Sequence, residues 1–361
     1  MQGTMTWVGM DVHARSTHGA AIDSLTGELR RVCFGAGTEE VVAWLSGLPA
    51  PVRAVYEAGP TGFGLARAAQ RAGIEVMIAA PSKTPRAAGD RVKTDRKDAE
   101  LLARLLLAGQ LRAVAMPPDW LEAIRHLARV REHVRRDLAR NRQRVSKLLL
   151  VEGRVYPAKT TWNREHRRWI ARQRFEHPAT ELALLDLLAA VDGLTARRDA
   201  LDERLSRLAL DARLWPTVAR LRAFRGIDTL TALALHLELG GDWQRFSSPR
   251  RLFAWLGLTP SLEQSGQSKT LGSITKSGSS IARRLLVEAA WHYLRPPRIG
   301  APLAHRQAGL PDHVLQIAGR AQQRLHRTPR RLRARRKPAN VVTVAVAREL
   351  AGFLWAAATA P

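Results

Sequence analysis

The chain has 361 residues, enough for two or three domains, and its 45% hydrophobic content excludes a mostly disordered polymer. Its 58 Lys+Arg against 32 Asp+Glu give a formal charge of +26. A GC-rich coding sequence could explain the arginines but not the shortage of acids. So basic a chain repels itself unless a polyanion neutralises it, and nucleic acid is expected ahead of an anionic membrane surface.

In chain order, Trp7 to Asp11 is a short apolar run ending in an acid, followed by strand patterns at Thr17 to Ile22 and Leu29 to Phe34. The turn-rich Asp23 to Gly27 between the latter two suggests a three-stranded antiparallel meander. Cys33, the lone cysteine, excludes a disulfide framework and multi-cysteine zinc sites, and its apolar surroundings suggest a core position. Thr38 is suited to cap a helix over Glu39 to Leu48. Strand Val52 to Tyr56 ends at Glu57, and a helix from about Gly62 to Arg71 and strand Glu75 to Ala79 follow. This element order is that of the RNase H-like fold, a mixed α/β sheet. Residues 83–97 are basic and read as flexible, carrying Lys83, Arg86, Arg91, Lys93, Arg96 and Lys97, and a helix follows from about Asp95 to Ala108.

Pro117-Pro118 marks a boundary. Asp119 to Val151 reads as one long charged helix. A second helix carries Leu184, Leu187, Val191, Leu194, Arg198, Leu201, Leu205 and Leu208, a heptad seam interrupted once by Arg198. It predicts a coiled-coil hairpin or an oligomer contact; two helices packed on their own domain are the alternative. Phe224 to Ala232 resembles a helix-hairpin-helix element, whose Gly-containing turn offers backbone N–H groups to phosphate. A serine- and glycine-rich loop, Ser261 to Ser280, precedes a helix from Ile281 to Leu294. Arg320 to Lys337 holds nine Lys/Arg in eighteen residues, a further nucleic-acid contact or a solvated arm. Val341 to Ala360 is the most apolar stretch, but Arg348 and Glu349 in its middle mark a buried or docking helix rather than a membrane span. No N-terminal segment has signal-peptide order, so a cytoplasmic, reducing location is expected. The expected division is residues 1–115, 116–213 and 214–361.

Asp11 and Glu57 end strands that are neighbours in an RNase H-like sheet, and Asp95 and Asp98 are three apart on one helix face. Four carboxylates in one cleft repel unless divalent cations bind among them. Two such cations can clamp a phosphodiester and stabilise attacking and leaving oxygens. Each acid alone is as readily a turn former or a surface residue. His13 lies near Asp11, where assistance in catalysis is one reading and a strand-end surface histidine the commoner one. Gly59, Gly62 and Gly64 lack the order of a nucleotide-binding loop and read as the turn after Glu57.

Gly9-Met10-Asp11-Val12-His13, Tyr56 to Gly62 and Lys93-Thr94-Asp95-Arg96-Lys97-Asp98-Ala99 resemble the three acidic motifs of the DEDD insertion-sequence transposases, the IS110 and IS1111 family. A second block, Ala254 to Pro260, Ser265-Gly266, Leu271 to Gly278 and Arg283 to Leu286, resembles that family's C-terminal transposase domain. The resemblance runs from about residue 6 to residue 357. It implies a RuvC-like N-terminal domain, a coiled-coil middle region and a mostly helical C-terminal domain.

The resemblance also implies Mg²⁺ or Mn²⁺ at Asp11, Glu57, Asp95 and Asp98, and a serine nucleophile at Ser265. The residues alone do not choose this serine, since Ser261, Ser268, Ser273, Ser277, Ser279 and Ser280 crowd the same stretch. The implied partners are donor and target double-stranded DNA, a non-coding bridge RNA from the element itself, and further copies of the chain as a dimer or tetramer. Lys93, Arg96, Lys97, Arg225, Lys269, Lys276, Arg283 and Arg284 are the expected nucleic-acid contacts. A RuvC-like nuclease that hydrolyses junctions with water, and a nucleic-acid-binding protein without activity, are the competing readings.

Overall fold

The computed structural model describes residues 5–85, 94–266 and 268–361. They form two compact units, Met1–Met116 and Pro117–Pro361.

The first unit is a mixed sheet between helices. Its elements are β1 (Thr6–Val12), β2 (Thr17–Asp23), β3 (Leu29–Phe34), α1 (Thr38–Ser46), β4 (Val52–Glu57), α2 (Gly64–Arg71), β5 (Glu75–Ala79) and α3 (Asp95–Leu107). The strand order is β3-β2-β1-β4-β5, antiparallel through the β1–β3 meander and parallel from β1 to β4 to β5. Strand alternation sends Val8, Met10 and Tyr56 to one face, where they pack with Leu45 of α1 and with Ala66 and Ala69 of α2. On the opposite face Val55 and Ala79 meet Leu102, Leu105 and Leu106 of α3. Burying one such aliphatic side chain contributes about 1.5–3 kcal/mol.

Gly9 decides how closely α3 sits. A Cβ there would run into the backbone of Ala99 and Ala103, so α3 lies directly on β1 at the position two residues before Asp11. Two local expectations change. Gly37, not Thr38, caps α1. Cys33 is exposed rather than in the core. It sits on the edge strand β3 opposite His18, on the side that α1 and α2 do not cover.

The second unit is mostly helical: α4 (Asp119–Val151), α5 (Arg164–Ala171), α6 (Pro178–Leu208), α7 (Trp215–Leu221), α8 (Thr229–Glu238), α9 (Pro249–Trp255), then a hairpin of β6 (Pro260–Ser265) and β7 (Ser268–Ile274), then α10 (Ser280–Ala290), α11 (Ala301–Gln307), α12 (Asp312–Ala334) and α13 (Ala339–Thr359). α4 and α6 run antiparallel. Arg131 of α4 pairs with Asp202 near the end of α6, while Val145 and Leu149 pack with Leu184 near its start. Leu184, Val191, Leu201 and Leu205 are buried within the chain. Of the two uses expected for this seam, a hairpin or a contact between copies, it is the packing within the chain that covers it, because α4 supplies Leu138, Val145 and Leu149 to fill it.

α13 is long and apolar enough to cross a membrane. One side of it, including Val346, Leu350 and Leu354, is buried in the main core with Leu221, Phe224, Leu235, Leu286 and Leu325. Glu349 accepts a hydrogen bond from Arg324 of α12, so the charge noted in the sequence fastens the two helices together.

Two buried acids join α4 to this core. Glu132 is bound by Arg135, Arg136 and, from α10, Arg284 at 2.7 Å. Glu238 of α8 is bound by Arg129 of α4 and accepts from the Ser279 hydroxyl.

Candidate active site

The acidic site is built by strand register. Met10 lies opposite Tyr56 in the parallel β1–β4 pair, so Asp11 and Glu57, one residue on, follow at the same C-terminal edge and on the face opposite that buried pair. Across the antiparallel β1–β2 pair, Asp11 faces His18. Beyond Glu57 the chain turns away through a loop closed by the Tyr56 hydroxyl, which donates to the carbonyl of Gly62.

α3 brings the remaining acids. Thr94 caps it, accepting from the amide of Lys97, and this fixes Asp95 and Asp98 in the first turn. The helix N-terminus favours their charge. One ligand atom each from Asp11, His13 and Asp95 lies within 4.8 Å of the others. The His13 Nε2 is 3.1 Å from Asp11 Oδ2 and 3.7 Å from Asp95 Oδ1, and the His18 Nε2 is 3.6 Å from Asp95 Oδ2.

Burial is the main cause raising the Asp11 carboxyl above its ordinary pKa; the charges of Asp95 and Asp98 push the same way, and only His13 opposes them. This set fits a divalent cation. Two or more carboxylate oxygens suit a hard ion, an imidazole suits a borderline one, and positive charge would reverse the penalty on Asp11. His13, for which a surface position was the commoner expectation, is exposed but belongs to the cluster, and His18 lies beside it against Asp95. Hairpin register held the signal for His18, since four residues of turn between Val12 and its partner Thr17 return His18 opposite Asp11.

The serine-rich stretch is a β-hairpin rather than a loop. Ser265 and Ser268 are the closing pair, with Gly266 at φ +56° leading into the turn. The stretch lacks apolar alternation because β6 is almost wholly exposed, which hides the strand pattern. Ser265 is exposed, and among the described residues its hydroxyl has no side-chain hydrogen bond.

The base of the hairpin is clamped. A Cβ at Gly257 would strike the backbone of Ser277, and one at Gly278 would strike the carbonyl of Trp255. Thr275 and Lys276 donate their amides to Thr259 and Gly257, and Ser277 donates its hydroxyl to Ala254 O. Arg283 donates to the carbonyls of Leu256, Ser277 and Gly278.

The expected basic contacts divide into two groups. Arg96 and Lys97 are exposed in the first turn of α3 beside the acids, and Lys276 is exposed at the hairpin base. Arg225 lies in the Gly226 turn between α7 and α8 and lines a hollow of about 630 Å³ with Arg295, Arg298 and Arg306, while donating to the carbonyl of Pro296. Arg283 and Arg284 are instead engaged internally, the first on the hairpin base and the second on Glu132 and Glu288. Lys93 and the side chain of Lys269 lie outside the described residues.

Comparison with known proteins agrees with this organisation. Residues 8–152 match the DEDD transposase family of the IS110 group, and residues 218–301 match the transposase IS116/IS110/IS902 family. The protein y4qE of Sinorhizobium fredii, which carries a transposase name, is 44% identical over 84% of this chain and 74% of its own. The transposase for insertion sequence element IS1533 of Leptospira borgpetersenii is 31% identical over 92% of this chain and 97% of its own. The transposase for IS1111A of Coxiella burnetii is 31% identical over a shorter stretch, 28% of each chain. With both family regions in order and relatives spanning most of its length, the chain belongs to the IS110/IS116 family of insertion-sequence transposases, enzymes that act on DNA.

Proposed function

We propose that this transposase exchanges DNA strands through a covalent phosphoserine on Ser265, assisted by Mg²⁺ or Mn²⁺ held by Asp11, Glu57, Asp95 and Asp98, with His13 as a further ligand. The observation that carries the reading is the convergence of Asp11, His13 and Asp95 in one small volume. The sheet order β3-β2-β1-β4-β5 supports an RNase H-like, RuvC-like first domain over residues 1–115. The antiparallel α4–α6 pair supports a coiled-coil region over residues 116–213, ahead of the transposase domain at 214–361. A bound divalent cation supplies charge stabilisation at the phosphate oxygens.

The chain's own residues do the rest. Ser265 Oγ gives up its proton and bonds to phosphorus; the bond to a deoxyribose oxygen breaks, and that oxygen takes up a proton. The number of phosphoester bonds is unchanged, so a second DNA hydroxyl reverses the step without an external energy source. Arg283 holds the hairpin base that presents the serine. Arg96, Lys97, Lys93, Arg225, Lys269 and Lys276 hold phosphates, while Arg284 works through Glu132 rather than on DNA.

Sequence choice belongs to an element-encoded bridge RNA, with the protein reading backbone and shape. Joining two duplexes takes more than one active site, so a dimer or tetramer acts, assembled on a surface other than the α6 seam. The site of action is the bacterial cytoplasm.

Hydrolysis by a RuvC-like nuclease is the second reading, favoured by the lack of a base bonded to Ser265 among the described residues. Labelled DNA incubated with protein retaining its co-purified RNA, then resolved under denaturing conditions, separates the two. A covalent protein–DNA species that disappears in Ser265→Ala is expected. Cleavage with no adduct, or exchange that survives Ser265→Ala, overturns the serine assignment.

A further inference from the structure

α12 and α13 border an open groove of about 1100 Å³ that the active-site reading does not use. One wall carries Arg320, Arg324, Arg327 and Arg331, spaced four, three and four residues so that they share a single face of α12. Arg324 is tied to Glu349 at 2.9 Å, and Thr328 donates to the same carboxylate, so this arginine fastens the two helices. Arg320, Arg327 and Arg331 are exposed and have no acidic partner among the described residues. On α4, by contrast, Arg129, Arg131, Arg135 and Arg136 are all ion-paired. Three unneutralised guanidiniums on three turns repel one another, and an extended anion relieves that repulsion.

The remaining lining narrows the anion's class. Gln316 and Gln323 are exposed amides, able both to donate and to accept, and Phe353 of α13 is a half-buried aromatic. A basic track beside an aromatic is the combination that binds unpaired strands, with phosphates on the cations and bases against the ring. Pockets for one drug-sized ligand run to about 1,000 Å³. A groove of this size accepts a few nucleotides of one strand.

We propose that this groove binds a single-stranded segment of nucleic acid, its phosphates along Arg320, Arg327 and Arg331 and a base against Phe353. The inference stands apart from the serine and metal assignments, because its test reads binding alone.

The test uses the full chain with fluorescent twelve-nucleotide oligo-U and oligo-dT, an abasic strand of equal length and a twelve-base-pair duplex, each titrated over a salt series. In the triple variant Arg320→Gln/Arg327→Gln/Arg331→Gln, single-strand affinity should fall roughly 10- to 100-fold at low salt. The slope of log K against log salt should become shallower by about 2, from roughly 0.7 for each lost phosphate contact. Duplex affinity should change by less than about 3-fold, and the melting temperature should hold. Phe353→Ala should weaken the base-bearing strands about 10-fold and leave the abasic strand unaffected. Tighter binding of oligo-U or of oligo-dT supports the proposal in either direction and identifies the strand as RNA or displaced DNA. Equal losses on duplex and single strands, no loss on either, or competition by polyglutamate as effective as by oligo-U would overturn it.

Discussion

Asp11 in the first unit and Glu132 in the second are both carboxylates withdrawn from water, with side chains 21% and 4% exposed. Their surroundings differ in sign. Burial by itself would raise Glu132, but Arg135, Arg284 and Arg136 outweigh it and hold its pKa below the ordinary range. Asp11 is raised by burial and raised again by Asp95 and Asp98, with His13 alone in opposition. In a chain of net charge +26, enough cations exist to neutralise every acid. Arginines on every side commit Glu132 to folding, whereas Asp11 faces a histidine and the charges of further acids, the surroundings of a site kept for a ligand.

The largest expected effect breaks the first side of this comparison. Asp11→Ala should reduce strand exchange by about 1,000-fold or more, the scale of a lost metal-held charge. Melting measured without added metal should stay constant or rise, because a repelled carboxylate has gone. A drop of several degrees would mean that Asp11 is structural after all.

Glu132→Ala tests the other side. Removing one partner of a buried ion pair strands the others and costs about 3–5 kcal/mol. For a unit of this size that lowers Tm by roughly 6–20 °C. Pairing it with Arg284→Met should recover part of the loss, and an unchanged melting curve in Glu132→Ala would refute the structural role.

A smaller effect belongs to His236, buried in α8, whose Nδ1 accepts a hydrogen bond from the Trp243 indole at 3.1 Å. Burial pushes its pKa down to about 4. The folded pKa is depressed, so the unfolded chain takes up the proton first. The associated stability is complete above about pH 6.5 and is lost as pH falls toward 4, by about 3 kcal/mol. His236→Gln should flatten this acid limb in melting experiments from pH 7 to pH 4; an identical limb in the variant would assign the loss to other groups.

Much of the first unit was legible from residues alone. β3 and β5 match their expected limits, and β1, β2 and β4 differ by one or two residues, because apolar runs there are bounded by turn residues or acids. α4 begins and ends where its charged periodic run does. What the sequence concealed depended on pairing. Cys33 looked buried because its neighbours are apolar, yet edge-strand alternation turns it outward. His13 and His18 gain meaning only once α3 lies over β1 and the hairpin register is set. The heptad seam of α6 was visible, but its residues did not choose between a hairpin with α4, which fills it, and a contact with another copy. The β6–β7 strands lacked any hydrophobic alternation, since little covers either face.

That hairpin has a mechanical consequence. Clamped through Gly257, Gly278 and Arg283 and otherwise free of the core, it is a cantilever with Ser265 at its tip. A six-residue strand reaches about 20 Å. A tilt of about 10° at the clamp therefore carries the tip through roughly 3.5 Å, about the reach of one bond-forming approach. Under the serine proposal, stiffness at the root sets how far the Ser265 hydroxyl can travel.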